Sequence, residues 1–338
     1  MFRVMSCATA FIVGLACIGG LAQAQPYYVG KKIDLFIGFP AGGGYDLYAR
    51  IVARYMPKYI EGTPLIIPRQ MSGAGSFIAA NYAANVAPQD GTALFTAIQT
   101  MPLNQLIGDP AVKFDVQKLR WIGSPVADVN VLMTWASSGI LTLTDAKSKE
   151  SWIGASGPAP NTSGLYPKLA NELLGTRFKI LTAFQGSADI DLAMERGEIS
   201  GRGSNAWSTI KATKPEWLTE KTVRILFQVG LSRAVDLPDV PLFHELPEKQ
   251  AHKDLLKLLS SSTTVGRPLF MPPNTSEDRV EELRAAFDKA MKDFDFLTEA
   301  KKLKLDIDPV SGRDLEKIMD EILTTPEEVK AAAITLFQ

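Results

Sequence analysis

The sequence is short of the residues from which most catalytic and metal sites are made. It has two histidines and two cysteines in 338 residues. Both cysteines, Cys7 and Cys17, fall in an apolar N-terminal stretch. With that stretch removed, no disulfide framework, thiol nucleophile or cysteine-ligated metal is available. His244 and His252 lie in a charged run with Glu245, Glu248, Lys249 and Lys253. Their spacing is no metal motif, and the setting reads as surface. An excess of one charge is also missing: 36 Lys and Arg against 37 Asp and Glu leave a net charge of −1. Nothing in that balance asks for nucleic acid or a membrane surface as partner. Internal repeats and low-complexity tracts are absent as well.

Long apolar runs are confined to the N-terminus. Arg3 is followed by an apolar run from Ala8 to Leu21 and by Ala22-Gln23-Ala24. That is the order of a secretory signal peptide, 1–24, with cleavage expected after Ala24. As a membrane anchor the segment is marginal in length and has no positive flank on its far side. Gly14 stands three residues before Cys17, where a lipid-attachment site usually has an aliphatic residue. The remaining chain is long enough for two domains and a sizeable core.

What is present is glycine in a particular place. The run Ile33 to Phe39 reads as a buried strand, and Pro40-Ala41-Gly42-Gly43-Gly44 breaks it. From there the period turns helical, with Leu47, Tyr48, Ile51, Val52 and Tyr55 on one face. Strand, glycine turn and helix together present free backbone N–H groups and the positive end of a helix dipole, a setting that favours an anion. The pattern recurs: Leu65-Ile66-Ile67, then Ser72-Gly73-Ala74-Gly75-Ser76, then a small-residue helix from Phe77 to Ala84. Two such turns from adjacent βα units point at one crevice, at the carboxyl ends of the strands.

Further strands are expected at Gly91–Ile98, ending at Gln99 and Thr100, at Leu119–Pro125 and at Asn130–Trp135. The last two are so close that the chain must leave one sheet for another near Val126. A second βα block follows, with strands at Trp152–Ala155, Phe178–Phe184, Ile199–Ser204 and Val223–Val229. Its turns are Ser156 to Gly164 and Gln185-Gly186-Ser187. Thr263–Phe270 reads as a returning strand. A helical tail then begins with Thr275 as cap, and Val280, Leu283, Phe287, Ala290, Met291 and Phe294 keep helical spacing. The fold class expected is α/β, with two lobes joined by two crossing strands. Lobe 1 takes 25–126 plus 264–338, and lobe 2 takes 127–263. A cleft between lobes is where a ligand sits.

The motifs of nucleotide and acyl chemistry are missing. Gly42-Gly43-Gly44 is followed by Tyr45-Asp46, where a P-loop needs Lys and Ser or Thr. Gly73-Ala74-Gly75 has Ile78 where a dinucleotide fingerprint needs its third glycine. No nucleophile, base and orienting acid come together as a hydrolase would need. Arg69 and Arg202 could each pair with a ligand carboxylate or close a structural ion pair. Asp189 could complement its helix dipole or accept a bond from a ligand. Phe39, Tyr45, Phe184 and Trp207 could each cover a ligand ring, with core packing the default for all but Tyr45. Phe39 and Tyr45 are counted among the expected ligand contacts. A rich binding inventory beside a thin catalytic one favours a carrier of a small anion, with no metal and no cofactor.

The ordered set of these segments resembles the Bug (TctC-like) family, the periplasmic receptors of tripartite tricarboxylate transporters. It comprises Phe39-Pro40-Ala41-Gly42-Gly43-Gly44 with Asp46 and Ala49-Arg50, Gly73-Ala74-Gly75, Ala87-Pro88-Gln89-Asp90-Gly91-Thr92, Gln185-Gly186-Ser187 and Leu237-Pro238-Asp239-Val240-Pro241. The likeness spans essentially the whole chain after the leader. It implies a type II periplasmic binding fold (a Venus flytrap), closing on a small carboxylate and delivering it to membrane permease subunits. It also implies that the first lobe holds the carboxylate through Ala41, Gly42, Gly43, Gly44, Gly73, Ala74, Gly75 and Ser76, with Thr100 as a side-chain donor. The second lobe would contribute Ser156, Asn161, Thr162, Ser163, Gln185, Gly186, Ser187 and Asp189. Phe184 and Gln185 stand where the family often has Tyr followed by Lys or Arg. A secreted, periplasmic protein is expected, with a monomer as the default state. The alternatives are a periplasmic α/β hydrolase on a related scaffold, or a ligand sensor for a signalling partner.

Overall fold

In a computed structural model of the chain, residues 1, 25–157 and 161–337 are described. The signal-peptide reading, and with it Cys7 and Cys17, lies outside them. In the first lobe, β1 (Lys32–Ile37), α1 (Gly44–Tyr55), β2 (Leu65–Gln70), α2 (Phe77–Asn85), β3 (Ala93–Thr96), α3 (Met101–Leu106) and β4 (Arg120–Ser124) follow one another. Alternate strands and helices build a parallel arrangement, with β1 between β2 and β3. β3 is buried on both faces, as the middle of a helix-covered sheet requires. β1 is fully buried on one face and half-buried on the other, and the edge strand β2 is partly exposed. Ile33, Leu35 and Ile37 face one core with Tyr48, Ile51 and Val52 of α1, and Phe95 and Trp121 face another with Phe77 and Val116.

The chain then crosses to a second sheet through β5 (Asn130–Trp135), α4 (Leu143–Ser148), β6 (Ser151–Gly154), α5 (Thr162–Leu174), β7 (Phe178–Leu181) and α6 (Ser187–Glu195). It continues with β8 (Gly201–Ala206), α7 (Trp207–Thr213), α8 (Pro215–Thr219), β9 (Val223–Val229) and α9 (Gln250–Ser261). The strand order is β7-β6-β8-β5-β9. β5 runs antiparallel to both neighbours because it enters directly from the other lobe.

The return differs from the continuous strand expected over Thr263–Phe270. Ser261, Ser262, Thr263 and Thr264 each donate a hydroxyl to the carbonyl three residues back, at 2.6 to 2.8 Å. These bonds satisfy the last carbonyls of α9 and keep the chain helical to Val265. Gly266 follows at φ 61°, and an added Cβ there would run into the Val126 carbonyl oxygen. The two crossing segments touch at that point, and the Ser124 hydroxyl ties them by accepting from the Arg267 N–H at 2.8 Å. Only then does β10 (Leu269–Met271) enter the first sheet, antiparallel between β3 and β4.

The tail contains α10 (Glu277–Ala290), α11 (Phe294–Lys302), β11 (Val310–Ser311), α12 (Gly312–Leu323) and α13 (Glu327–Phe337). The first sheet is ordered β11-β4-β10-β3-β1-β2. Ser276, one residue after the Thr275 expected, stands at the N-cap of α10. Phe294 is exposed at the start of α11 and does not continue the apolar face of α10. Ala333 and Phe337 of α13 share a core with Leu255, Leu256 and Leu259 of α9, so the C-terminus grips the second lobe as well as the first. Among the described residues no helix is long and apolar enough to cross a membrane.

Candidate functional site: the inter-lobe cleft

The glycine turn after β1 is built by Asp46. Its carboxylate accepts from the Gly42 N–H at 3.0 Å, pairs with Arg50 at 2.8 Å and accepts from Gln70 at 2.6 Å. Gly42, at φ 84°, can take this left-handed turn because it lacks a side chain. With its N–H used and no place in the cleft lining, Gly42 shapes the turn from outside. No described residue accepts from the N–H groups of Gly43, Gly44 and Tyr45, which open α1.

Two helices of the second lobe present their N-termini to the same space. Asn161 caps α5, its side-chain oxygen accepting from the Ser163 N–H at 3.0 Å and the Ser163 hydroxyl at 2.6 Å. Ser163 in turn accepts from the Ser156 N–H at 2.9 Å, which pins the turn after β6. The helix lies so tight against β8 that a Cβ on Gly203 would overlap the Ser163 carbonyl oxygen. α6 opens at Gly186, and Asp189 accepts from the Gln185 N–H at 3.2 Å, serving its own turn. Three helices, each long enough to carry a dipole, thus converge on one space.

That space has two chambers. A narrow one, about 130 Å³, is bounded by Phe39, Ala41, Gly43, Gly44 and Tyr45 of the first lobe and Ser156, Asn161, Thr162, Ser163, Gly186, Ser187 and Asp189 of the second. A wider one, about 460 Å³, is bounded by Gly73, Ala74, Gly75, Ser76 and Gln185. Phe39, Pro40, Ile98, Ser156 and Asn161 belong to both, so the two glycine turns face one continuous crevice. The second turn is wound left-handed at Ala74, Gly75 and Ser76, and the Ser76 hydroxyl accepts from the Ile98 N–H at 2.9 Å. Thr100 is in neither lining. It is buried at the start of α3, where its hydroxyl accepts from the amide of Asn104 at 3.5 Å, and Asn104 itself borders the wider chamber.

Arg202 lines the narrow chamber but is already engaged. It is fully buried, ion-paired with Asp191, and bonded to the Ser187 hydroxyl at 3.1 Å and the Ser204 carbonyl at 3.2 Å. Burial pushes the Asp191 carboxyl up, with Arg202 pulling the other way. Arg69 pairs with Asp34 at 2.9 Å on the surface, away from both chambers. Tyr45 stacks on Phe39 with centroids 4.5 Å apart and accepts from the Gln99 N–H at 3.0 Å. Burial raises the pKa of its hydroxyl, against the pull of Arg267.

Gln99, Asn130, Ser204, Asn205 and Arg267 also line the narrow chamber and were not singled out from the sequence. Arg267 lies over the Tyr45 ring at 4.5 Å and donates to Thr209 of the second lobe at 2.8 Å. The sequence carried no signal for the β8 residues: Gly201 to Ala206 is a polar stretch, and only the structure shows every position buried, where polar side chains need partners. A further cavity, about 510 Å³, lies behind the crossing segments. Its Lys211 is paired with Asp236 at 3.0 Å and Asp306 at 2.7 Å. Among the described residues no group of three or more His, Cys, Asp or Glu could hold a metal ion.

Comparison with known proteins assigns the architecture. The two sheets, their crossing segments and the cleft form the two-lobed fold of periplasmic binding proteins. In particular, the chain is similar to the periplasmic binding protein BugD, at 17% identity over 90% of this chain and 97% of that one, with a TM-score of 0.66. It is similar to MatC of Rhodopseudomonas palustris with bound malate, at 19% identity over 89% and 99%, TM-score 0.65. It is also similar to an R. palustris protein with adipate, at 17% identity over 90% and 97%, TM-score 0.69. No protein-family model and no curated protein sequence matches the chain.

Proposed function

We propose that this chain is a periplasmic solute-binding receptor, exported by a cleaved signal peptide, that captures a small carboxylate between its lobes. The observation that carries the reading is the convergence of the α1, α5 and α6 N-termini on one chamber between the lobes. Backbone donors and helix dipoles from both lobes stabilise an anion there without proton chemistry. The solved relatives of the same fold that hold malate and adipate support the ligand class. So does the run of matching turns described above. On this reading the lobes are 25–126 plus 264–338 and 127–263, and they close by a hinge at the crossing segments. The receptor acts as a monomer and hands its ligand to the permease subunits of a tripartite tricarboxylate-type transporter. The role is that of a carrier: the described residues of the chamber offer hydrogen-bond donors suited to holding an anion.

The test is a thermal-shift screen of residues 25–338 against malate, adipate, benzoate and nicotinate, each beside its neutral amide. A ligand that binds only the folded state raises the melting temperature with the logarithm of its concentration over Kd. A larger rise with at least one acid than with its amide at the same concentration is the expected result. A rise with neutral solutes alone contradicts the carboxylate assignment, and turnover of any panel compound contradicts the carrier role.

A further inference from the structure

The side chains of the narrow chamber carry information that the helix ends do not. Three residues that line it each carry a buried side-chain nitrogen with no partner among the described residues: Gln99 Nε2, Asn205 Nδ2 and Arg267 Nε. All three are donors. Their residues are only 3%, 8% and 6% exposed, so water outside the protein does not serve them. A buried donor without an acceptor is costly, and native structures keep such groups where something else completes them. The Asn205 amide orientation is set by its own Oδ1, which accepts from the Ala206 N–H at 3.0 Å.

The three come from separate parts of the fold. Gln99 follows β3, Arg267 sits on the returning segment, and Asn205 belongs to β8 of the second lobe. Arg267 is a buried cation whose described partners are a hydroxyl and an aromatic face, with no acid in hydrogen-bonding contact. Asp128, which acts on it across the hinge, is engaged with Ser208. Arg202, the other buried arginine of the chamber, is by contrast neutralised by Asp191.

We infer that Arg267, Gln99 and Asn205 form a side-chain clamp on one carboxylate of the ligand, with Arg267 making a direct ion pair. This rests on the receptor reading and names how its ligand is oriented. The charged end enters the narrow chamber, beside Gly44 and Tyr45, and the body of the molecule runs past Phe39 and Pro40 into the wider chamber. Because the clamp joins both lobes, it senses charge only when the lobes are closed. Discrimination between an acid and its isosteric amide therefore comes from Arg267, since the backbone N–H groups serve either oxygen.

The experiment is calorimetric titration of malate, adipate, benzoate and nicotinate, with their amides, into the wild type and Arg267→Gln, with circular dichroism to confirm folding. For any acid that binds the wild type, R267Q is expected to weaken it on the order of 30- to 1,000-fold, the cost of removing one partner of a buried charge pair. The amide's affinity is expected to change less than threefold or so, within the range of a lost neutral contact. Equal weakening of acid and amide, or an unchanged acid affinity, overturns the clamp while leaving the receptor reading intact. Failure of every acid to bind the wild type overturns both. If R267Q does not fold, Asn205→Ala serves. About tenfold weaker acid binding supports the clamp, and unchanged acid binding overturns it.

Discussion

Gly44 and Thr209 belong to opposite lobes, and they meet so closely that a Cβ on Gly44 would overlap the Thr209 hydroxyl and crowd the Arg267 guanidinium. Gly44 has no left-handed backbone, so its lack of a side chain matters only where the lobes come together. Gly44→Ala is therefore expected to leave the melting temperature of the free protein nearly unchanged. It should weaken acid binding about 5- to 150-fold, because overpacking a closed contact costs roughly 1–3 kcal/mol. Calorimetry checks the affinity, and small-angle scattering should find the variant more extended with ligand than the wild type.

Gly42→Ala should do the reverse. Its φ of 84° is strained for alanine, while an added Cβ meets nothing within 4 Å. A loss of roughly 1–2 kcal/mol of stability with little change in Kd is expected, measured by urea unfolding and titration. A large loss of affinity at similar stability would return Gly42 to the ligand contacts.

Asp46→Ala removes three interactions from the first glycine turn at once, those with the Gly42 N–H, Arg50 and Gln70. A buried carboxylate holding a turn in this way is expected to contribute about 1–3 kcal/mol. Urea unfolding should register that loss, and acid affinity should fall with it because the N–H groups after Gly43 lose their fixed direction.

Gly203→Ala tests how α5 is aimed. The new methyl would collide with the Ser163 carbonyl oxygen and push the helix off β8. Both stability, by about 1–3 kcal/mol, and acid affinity should fall. Unchanged affinity would show that the α5 N-terminus does not bear on the ligand.

Asp293 gives a pH-dependent prediction away from the cleft. Lys58, the Tyr59 hydroxyl and the Phe296 N–H hold its carboxyl well below the usual range. A depressed folded pKa contributes stability that is fully present above the unfolded value, about 3.9, and is lost as pH falls through the folded value. Asp293→Ala should cost about 1–2 kcal/mol at neutral pH through the lost cap of α11. It should also flatten the acid limb of the stability curve. Asp293→Asn should keep much of the cap and still flatten that limb, as urea midpoints between pH 2 and pH 6 will report.

The sequence made legible those parts whose signal is local. The strands Asn130–Trp135 and Val223–Val229 lie where their apolar runs place them. The turn after β1 was visible because proline and glycine punctuate a strand. The return crossing was not, since β-branched threonines suggest extension and the hydroxyl bonds that override it depend on α9 ending there. β8 was displaced by two residues because Gly201 to Ala206 has no apolar run, and its burial comes from α5 packing on Gly203. Arg267 carries no local mark at all: its importance lies in reaching Thr209 and Tyr45 across the molecule.

The most direct test is a crystal structure of the protein with whichever panel acid binds most tightly. The account predicts a carboxylate within about 2.7–3.2 Å of Arg267 and of the N–H groups that open α1, enclosed by both lobes. A carboxylate seated behind the crossing segments beside Lys211, or in the wider chamber with Arg267 still unpaired, would contradict it.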